Sequence, residues 1–300
     1  MHIVVAIKQV PDTSNVRINP ETGTLIREGV PSILNPYEVH ALELAVRLKE
    51  LHGGTVTVLT MGPPAAAEAL RECVEQGADR GILISDRKFA AADTLATSYV
   101  LATAIQALDA ELPVDLLLFG KQAIDGDTAQ VGPGVATRMD VPVLSCAIKV
   151  ERFDPVARTA VIHRRVARGI EVVNVRLPVL LTVEKEIAAV QRAPLANMLR
   201  AVNFQPELWS ASAPVAFDPA QIGIKGSPTI VGAAHTPSLK KAGERVTANP
   251  GAPAEAVAAA LAARPHGGGS CLDHHSGGTP GEAEVSPKII VWGVCRSPYD

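Results

Sequence analysis

The amino-acid sequence predicts an α/β protein with a doubly wound, mostly parallel sheet of the Rossmann-like kind. Over the first 150 residues, short apolar runs rich in β-branched residues alternate with segments of helical periodicity. This is the pattern of parallel strands joined by crossover helices. Beyond residue 150 apolar and polar residues alternate, which predicts a β-hairpin excursion. Prolines spaced from Pro206 to Pro237 then predict an extended C-terminal arm, because the segment is too long for a compact loop.

The first strand and the first helix have the clearest local signals. Residues 3–7 are apolar and mostly β-branched, so we expect a central strand with both faces buried. Turn residues within 15–33 predict a short hairpin. The run Asn35-Pro-Tyr-Glu38 predicts a helix start, with Asn35 as N-cap, Pro36 at the first helical position and Glu38 at the third. Capping is by itself a sufficient reason for Asn35 and Glu38.

The strand–helix alternation continues to residue 150. Right-handed crossovers place the loop after the first strand and the loop after the fourth strand at the same edge of the sheet. The second to fourth strands are predicted at 56–60, 79–85 and 115–119, helices at 65–76, from Asp93 onward and at 135–139, and a further strand at 142–150.

The second half is predicted to leave the sheet and return to it. Residues 158–163 and 170–176 are the two arms of a hairpin, in which His163 is interpreted as a solvent-facing strand residue rather than a ligand. Residues 177–183 return as a buried strand, and 191–200 form a loop that leads into a short helix.

Three regions are predicted: an α/β domain at 1–204, a Pro-rich arm with a short helix at 205–263, and an extension of unknown role at 264–300. The arm has no core of its own, so we expect it to need the surface of another chain to bury Trp209 and Phe217. The Cys, Asp and His residues at 266–275 match no compact zinc spacing, so no metal site is predicted. An apolar run at 288–294 is a candidate edge strand.

Composition excludes several classes of function. The 300 residues carry a net charge of −3 and only 3% aromatic residues, so neither a basic field nor stacking platforms favour nucleic acid. No apolar run reaches the roughly 18 residues of a membrane span, so no direct membrane insertion is expected. The four cysteines are scattered, which is typical of a reducing compartment and predicts a cytoplasmic location. No nucleophile–base pair has supporting spacing, so no catalytic residue is predicted.

The stretch from Gly120 to Gly134 is the candidate binding element, because it joins a buried strand to a helix through a glycine-containing loop. Free N–H groups and the positive end of a helix dipole attract phosphate at such a place. We expect Asp127 or Thr128 to cap the helix. Asp125 and Asp127 would repel a pyrophosphate, so they are assigned to shaping the loop or binding sugar hydroxyls. An ordinary βα turn is the alternative.

Several segments resemble one family, the β (small) subunit of electron transfer flavoproteins. The longest match is Gly120-Lys-Gln-Ala-Ile-Asp-Gly-Asp-Thr-Ala-Gln-Val-Gly-Pro133, and the resemblance covers about residues 1–263 in order. The shorter matches are at 5–8, 35–38, 45–49, 77–81, 180–183 and 194–197.

The resemblance implies a subunit that pairs with a larger α subunit, whose C-terminal domain holds an FAD. It also implies that this chain itself binds an adenine nucleotide, either AMP or a second FAD. The heterodimer would carry electrons between a flavin dehydrogenase and an acceptor or quinone oxidoreductase. The nucleotide contacts that it implies are Ala6, Asn35, Pro36, Tyr37, Glu38, Met61, Asp125, Gly126, Asp127, Thr128, Ala129, Gln130, Val131, Gly132, Pro133, Gly134, Val135 and Ala136.

Residues 125–133 and 222–229 are similar to the FAD-binding, electron-bifurcating group, in which NAD(H) is the electron donor. Small residues at 126, 129, 132 and 134 are expected to let the backbone approach a full FAD, with Thr128 on a phosphate oxygen. A simple one-flavin shuttle that binds AMP is the alternative, and a free-standing nucleotide-binding stress-type domain is a remote one. Leu195 is expected to project as a partner-docking anchor, with a buried packing role as its alternative. The family's Asn-Glu-Pro before Arg192 is replaced by Ala189-Val-Gln191, a departure that concerns partner recognition by this loop.

Overall fold

The computed structural model describes residues 1–12, 17–18, 25–26 and 31–229. All of them belong to one compact unit, Met1–Pro237. The predicted cluster at 266–275 and the predicted strand at 288–294 lie outside the described residues, as does the short helix of the predicted arm.

Strands and helices alternate through the first half, as the sequence predicts. The strands are β1 His2–Ala6, β2 Gln9–Pro11, β3 Arg17–Ile18, β4 Leu25–Ile26, β5 Ser32–Leu34, β6 Thr55–Met61, β7 Arg80–Ile84, β8 Leu116–Gly120, β9 Val143–Asp154, β10 Thr159–Val166, β11 Gly169–Arg176, β12 Val179–Val183 and β13 Glu207–Trp209. The helices are α1 Pro36–His52, α2 Ala67–Gln76, α3 Thr94–Glu111, α4 Val131–Met139 and α5 Leu195–Val202.

The main sheet has the order β11-β10-β9-β12-β8-β1-β6-β7-β13. Its neighbours from β9 to β13 are parallel, and β10 is antiparallel to β9 and β11. Every residue of β1 and β12 is buried, because helices cover both faces of the sheet. One core lies under α1, α2 and α5, and the other under α3 and α4. The doubly wound, mostly parallel fold is therefore confirmed.

Both predicted hairpins are present. β3 pairs antiparallel with β4, inside an outer antiparallel pair of β2 with β5. The excursion β9–β11 forms one end of the main sheet, and His163 on β10 contacts the Glu151 carboxylate through Nε2 at 2.5 Å.

The first part of the predicted arm packs on its own chain. β13 pairs with β7 at the far edge of the sheet, and Trp209 and Phe217 are 6% and 5% exposed in the core under α3. Phe217 meets Phe89 edge to face, with ring centroids 5.3 Å apart. The expectation that these two aromatic side chains need another chain to bury them is therefore wrong. The boundary at residue 204 and partner packing by the arm stay predictions.

Among the described residues, no helix combines the length and the apolar character needed to cross a bilayer.

Candidate functional site

A cavity of about 610 Å³ opens at the edge of the sheet where β1, β6 and β8 end. The carboxyl ends of neighbouring parallel strands meet at such an edge, which is where open α/β sheets bind ligands. The last residues of β1, β6 and β8 form its floor, and the loop from Lys121 to Gln130 forms one side. The start of α3 and Thr229 are also part of its wall.

The structure brings ten of the sequence-predicted contacts together on this wall. They are Ala6, Glu38, Met61, Gly126, Asp127, Thr128, Ala129, Gln130, Val131 and Gly132. The other eight do not line it: Asn35, Pro36, Tyr37, Asp125, Pro133, Gly134, Val135 and Ala136.

The helix that follows the loop begins earlier than predicted, at Val131 rather than near residue 135. Gln130 is its N-cap residue, and no side chain in the described part of the chain caps it. The prediction that Asp127 or Thr128 caps the helix is wrong, because the earlier start leaves both residues before the cap position. Val131 and Gly132 line the cavity, so the uncapped positive end of α4 forms part of the wall.

Asp127 shapes the loop. Its backbone N–H donates to the Ala123 carbonyl over 2.8 Å, and its φ is 56°. Its carboxylate accepts a hydrogen bond from the Gln122 amide. Ala129 also has a positive φ, 55°. These left-handed conformations turn the chain sharply between β8 and α4.

Asn35 is the N-cap residue of α1 in position but not in side-chain function. Its Nδ2 donates to the Gln122 carbonyl over 2.9 Å, and its Oδ1 accepts from the Ile124 N–H over 3.0 Å. The side chain is fully buried. The expected side-chain cap is therefore wrong, because these two hydrogen bonds fasten the start of α1 to the loop that follows β8.

Glu38 is a buried carboxyl group in the cavity wall. It is 7% exposed, and Oε2 has no hydrogen-bond partner among the described residues. Burial raises the pKa of Glu38 from 4.5 to about 8, although a hydrogen bond with Asn35 and the charge of Lys8 act in the opposite direction. Glu38 is therefore mostly neutral at pH 7.

Two lysines bring positive charge to the wall, and both are paired. Lys8 Nζ lies 2.7 Å from Asp125 Oδ1, and this pair is partly open to solvent. Lys121 Nζ lies 2.9 Å from Glu184 Oε1, and that hydrogen bond raises the pKa of Lys121 above its ordinary value.

The glycines of this region differ in what a side chain at each position would meet. A Cβ on Gly120 would lie 2.6 Å from Glu38 Oε1, and one on Gly132 would lie 2.7 Å from Thr182 Cγ2. A Cβ on Gly134 would lie 2.9 Å from Ser98 Cβ, so Gly134 allows α4 to pack on α3 and does not face the cavity. Gly126 has open space around it, with nothing within 4 Å of a built Cβ.

Twelve residues of the wall were not among the predicted contacts, although four of them, from Gly120 to Ala123, lie in the predicted binding element. Those that follow β1, β7 and β8 could have been found, because the strand-end argument applies to each of these strands. Thr229 has no local signal, since it reaches the wall only through tertiary packing. The twelve are Lys8, Ala92, Asp93, Thr94, Thr97, Leu101, Phe119, Gly120, Lys121, Gln122, Ala123 and Thr229.

A second surface lies on α5, away from the cavity. Leu195 is 71% exposed, so the alternative of a buried packing role is wrong. Met198, Leu199 and Val202 are also exposed, which leaves a row of apolar side chains on this helix.

The described residues contain no group of three or more His, Cys, Asp or Glu side chains that could hold a metal ion.

Comparison with known proteins gives a consistent result. The model of the electron transfer flavoprotein domain matches residues 22–212. Protein FixA of Azorhizobium caulinodans is 44% identical over 263 residues, which is 87% of this chain and 94% of FixA. The electron transfer flavoprotein subunit beta of Thermoanaerobacterium thermosaccharolyticum is 45% identical over 83% of this chain and 93% of its own length.

A third relative is the caffeyl-CoA reductase-Etf complex subunit CarD of Acetobacterium woodii. It is 45% identical over 82% of this chain and 92% of its own length. Matches of this extent, on a chain with this fold, identify the family. The chain belongs to the electron transfer flavoproteins, among the β subunits and FixA proteins.

Proposed function

We propose that this chain pairs with an electron transfer flavoprotein α subunit and holds an FAD in the cavity at the ends of β1, β6 and β8. The heterodimer would carry electrons from NADH or a flavin dehydrogenase to an acceptor or quinone oxidoreductase, in the bifurcating manner. The observation that carries the proposal is the cavity beside the uncapped start of α4. Bound FAD would supply the redox chemistry, and the chain's own residues bind and orient it.

The cavity has properties that suit a nucleotide. Its volume of about 610 Å³ lies within the roughly 300–1,000 Å³ of small-molecule sites. Ala6, Met61, Leu101 and Phe119 give it apolar surface for a flat ring system. The start of α4 offers backbone N–H groups and a positive dipole end to phosphate.

The charged groups of the wall favour a division of roles. Thr128 and the N–H groups of Val131 and Gly132 are suited to phosphate oxygens. The carboxylates of Asp93 and Asp127 would repel phosphate, so we assign them to sugar hydroxyl groups or to holding the wall. Lys8 also lines this wall, but its ammonium group is already paired with the Asp125 carboxylate.

The exposed apolar row on α5 supports a docking role. Large apolar side chains that are exposed together on one face of a helix mark a candidate protein–protein interaction site. We therefore propose Leu195 as the anchor for the dehydrogenase partner, with Met198 and Leu199 beside it.

The scattered cysteines support a cytoplasmic location, which we propose as well.

The test is co-expression with the α subunit, purification, and quantification of the nucleotides released on denaturation. Two FAD per heterodimer with little AMP is the expected result. One FAD and one AMP would reduce the chain to the simple shuttle type. A nucleotide-free chain that stays monomeric beside the α subunit would contradict the proposal, and a monomer that binds nucleotide would favour a stress-type domain.

A further inference from the structure

The segment 222–229 packs against residues 88–93, next to the cavity. Ile222 is 4% exposed. Gly223 has a φ of 55°, and a Cβ there would lie 2.2 Å from the Lys88 carbonyl oxygen. The backbones therefore touch at this point, and no other residue type fits without displacement. Thr229, at the end of the segment, lines the cavity.

Asp93 joins this segment to α3 with its two carboxylate oxygens. Oδ1 accepts from the N–H groups of Leu95 and Ala96 at 2.9 and 3.0 Å, which caps α3. Oδ2 accepts from Thr229 N and Thr229 Oγ1 at 3.1 and 2.8 Å. The Asp93 N–H donates to Ser227 Oγ over 2.8 Å.

The carboxylate form of Asp93 is favoured. Desolvation acts to raise the pKa of Asp93, but the hydrogen bonds from Ala96, Thr229 and Leu95 outweigh it and leave the pKa below its ordinary value. An ionised carboxylate accepts stronger hydrogen bonds than a neutral one. Both carboxylate oxygens of Asp93 are therefore engaged in these hydrogen bonds at neutral pH.

The contact of Asp93 with Thr229 is part of the cavity wall. Both residues line the cavity, as do Thr94 and Thr97 on the first turn of α3. Thr94 Oγ1 donates to Gln130 Oε1 over 2.9 Å, which connects α3 to the residue before α4. A ligand in the cavity would thus meet Thr229 in the wall only while 222–229 is docked.

We propose that Asp93 is a positioning residue that couples docking of the segment 222–229 to occupancy of the cavity. The ligand is the adenine nucleotide of the proposed function, on which this inference rests. A docked segment completes the wall and raises nucleotide affinity. Because such coupling is reciprocal, bound nucleotide stabilises the docked segment by the same factor.

Two substitutions test the contact between Asp93 and Thr229, and one leaves the cap of α3 in place. In Asp93→Asn the amide oxygen still caps α3, since Asn is as good an N-cap as Asp. The amide nitrogen cannot accept hydrogen bonds from Thr229. Thr229→Val removes the Oγ1 donor at nearly constant shape. The matched control is Asp86→Asn: Asp86 accepts from Ala211 N in the same C-terminal region but does not line the cavity.

The α/β complex, stripped of the nucleotide bound in this cavity, is titrated with AMP and with FAD by calorimetry. Hydrogen exchange of the amides at 222–229 is followed with and without each nucleotide. We expect nucleotide to slow this exchange in the wild type. Asp93→Asn and Thr229→Val should weaken nucleotide binding by about 5- to 20-fold, less than additively in the double variant, and should reduce the protection. Asp86→Asn should leave nucleotide affinity unchanged.

Two outcomes overturn the coupling while the proposed function stands. In the first, the wild type binds nucleotide but hydrogen exchange of the amides at 222–229 is the same with and without it. In the second, Asp93→Asn binds nucleotide as tightly as the wild type. If neither nucleotide binds to the wild type, the proposed function fails and the coupling fails with it. Thr229→Val, at the surface, keeps the test valid if Asp93→Asn does not fold.

Discussion

Glu38 makes the stability of this protein depend on pH in an unusual direction. Its pKa is about 8 in the folded chain against 4.5 as the ordinary value. Between these two values the folded chain holds a proton that the unfolded chain has lost. The free energy of unfolding therefore falls as the pH rises from 4.5 to 8, at about 1.4 kcal/mol per pH unit. The contribution is fully present below pH 4.5 and lost above pH 8.

Glu38→Gln isolates this effect, because glutamine keeps the shape of the protonated side chain and does not titrate. The variant and the wild type should have similar stability near pH 5. At pH 8 the variant should be more stable by roughly 3–5 kcal/mol, since it avoids a buried carboxylate. The charged groups that face Glu38 are Lys8, which lowers the pKa of Glu38, and Asp125, which raises it.

The assay is urea unfolding of both proteins at pH values from 5 to 9, because the difference between them cancels every other titrating group. Glu50→Gln, at an exposed position on the same helix, controls for the loss of one carboxylate. A difference between wild type and Glu38→Gln that stays constant from pH 5 to pH 8 would refute the reasoning. It would mean that Glu38 is charged in the folded protein.

Three further predictions concern the loop and the docking helix. Asn35→Ala should destabilise the chain by about 1–3 kcal/mol, because a partly buried N–H at Ile124 loses its acceptor and the partly buried Gln122 carbonyl loses its donor; urea unfolding and faster exchange of the Ile124 amide measure this. Leu195→Ala should slow electron transfer between the heterodimer and the dehydrogenase and leave the unfolding free energy within about 0.5 kcal/mol. Leu51→Ala, an equally exposed leucine on α1, should change neither, and a marked fall in stability for Leu195→Ala would restore the packing interpretation. Gly126→Asp should lower nucleotide affinity by bringing a carboxylate near phosphate, with little change in melting temperature because its side chain enters open space; unchanged affinity would remove Gly126 from the site.

The sheet could be predicted because its signals are local. The continuous apolar runs of β1 and β12 indicate burial on both faces, and both strands are buried throughout. The fixed handedness of the crossovers then brings the loops after β1 and β8 to one edge. That rule needs no knowledge of side-chain contacts, so the position of the cavity also follows from the sequence.

The side-chain contacts of the site could not be predicted in the same way. Asn35 has the sequence context of an N-cap, and its side chain can satisfy either its own helix or another loop. The choice is decided by Gln122 and Ile124, almost 90 residues later. The burial of Trp209 and Phe217 has the same cause, because their partners on β7 and α3 are more than 100 residues earlier in the chain.

The glycines of the loop after β8 and of the start of α4 give the strongest reason to separate packing from binding in this site. A glycine-rich loop suggests a ligand at every glycine, yet Gly132 and Gly134 are enclosed by Thr182 and Ser98 of the same chain. Substitution at either position would force α4 away from its neighbours and would lower nucleotide affinity even if no ligand touched the residue. Gly126 is free of such contacts, so only there does a loss of affinity at constant stability report contact with the ligand.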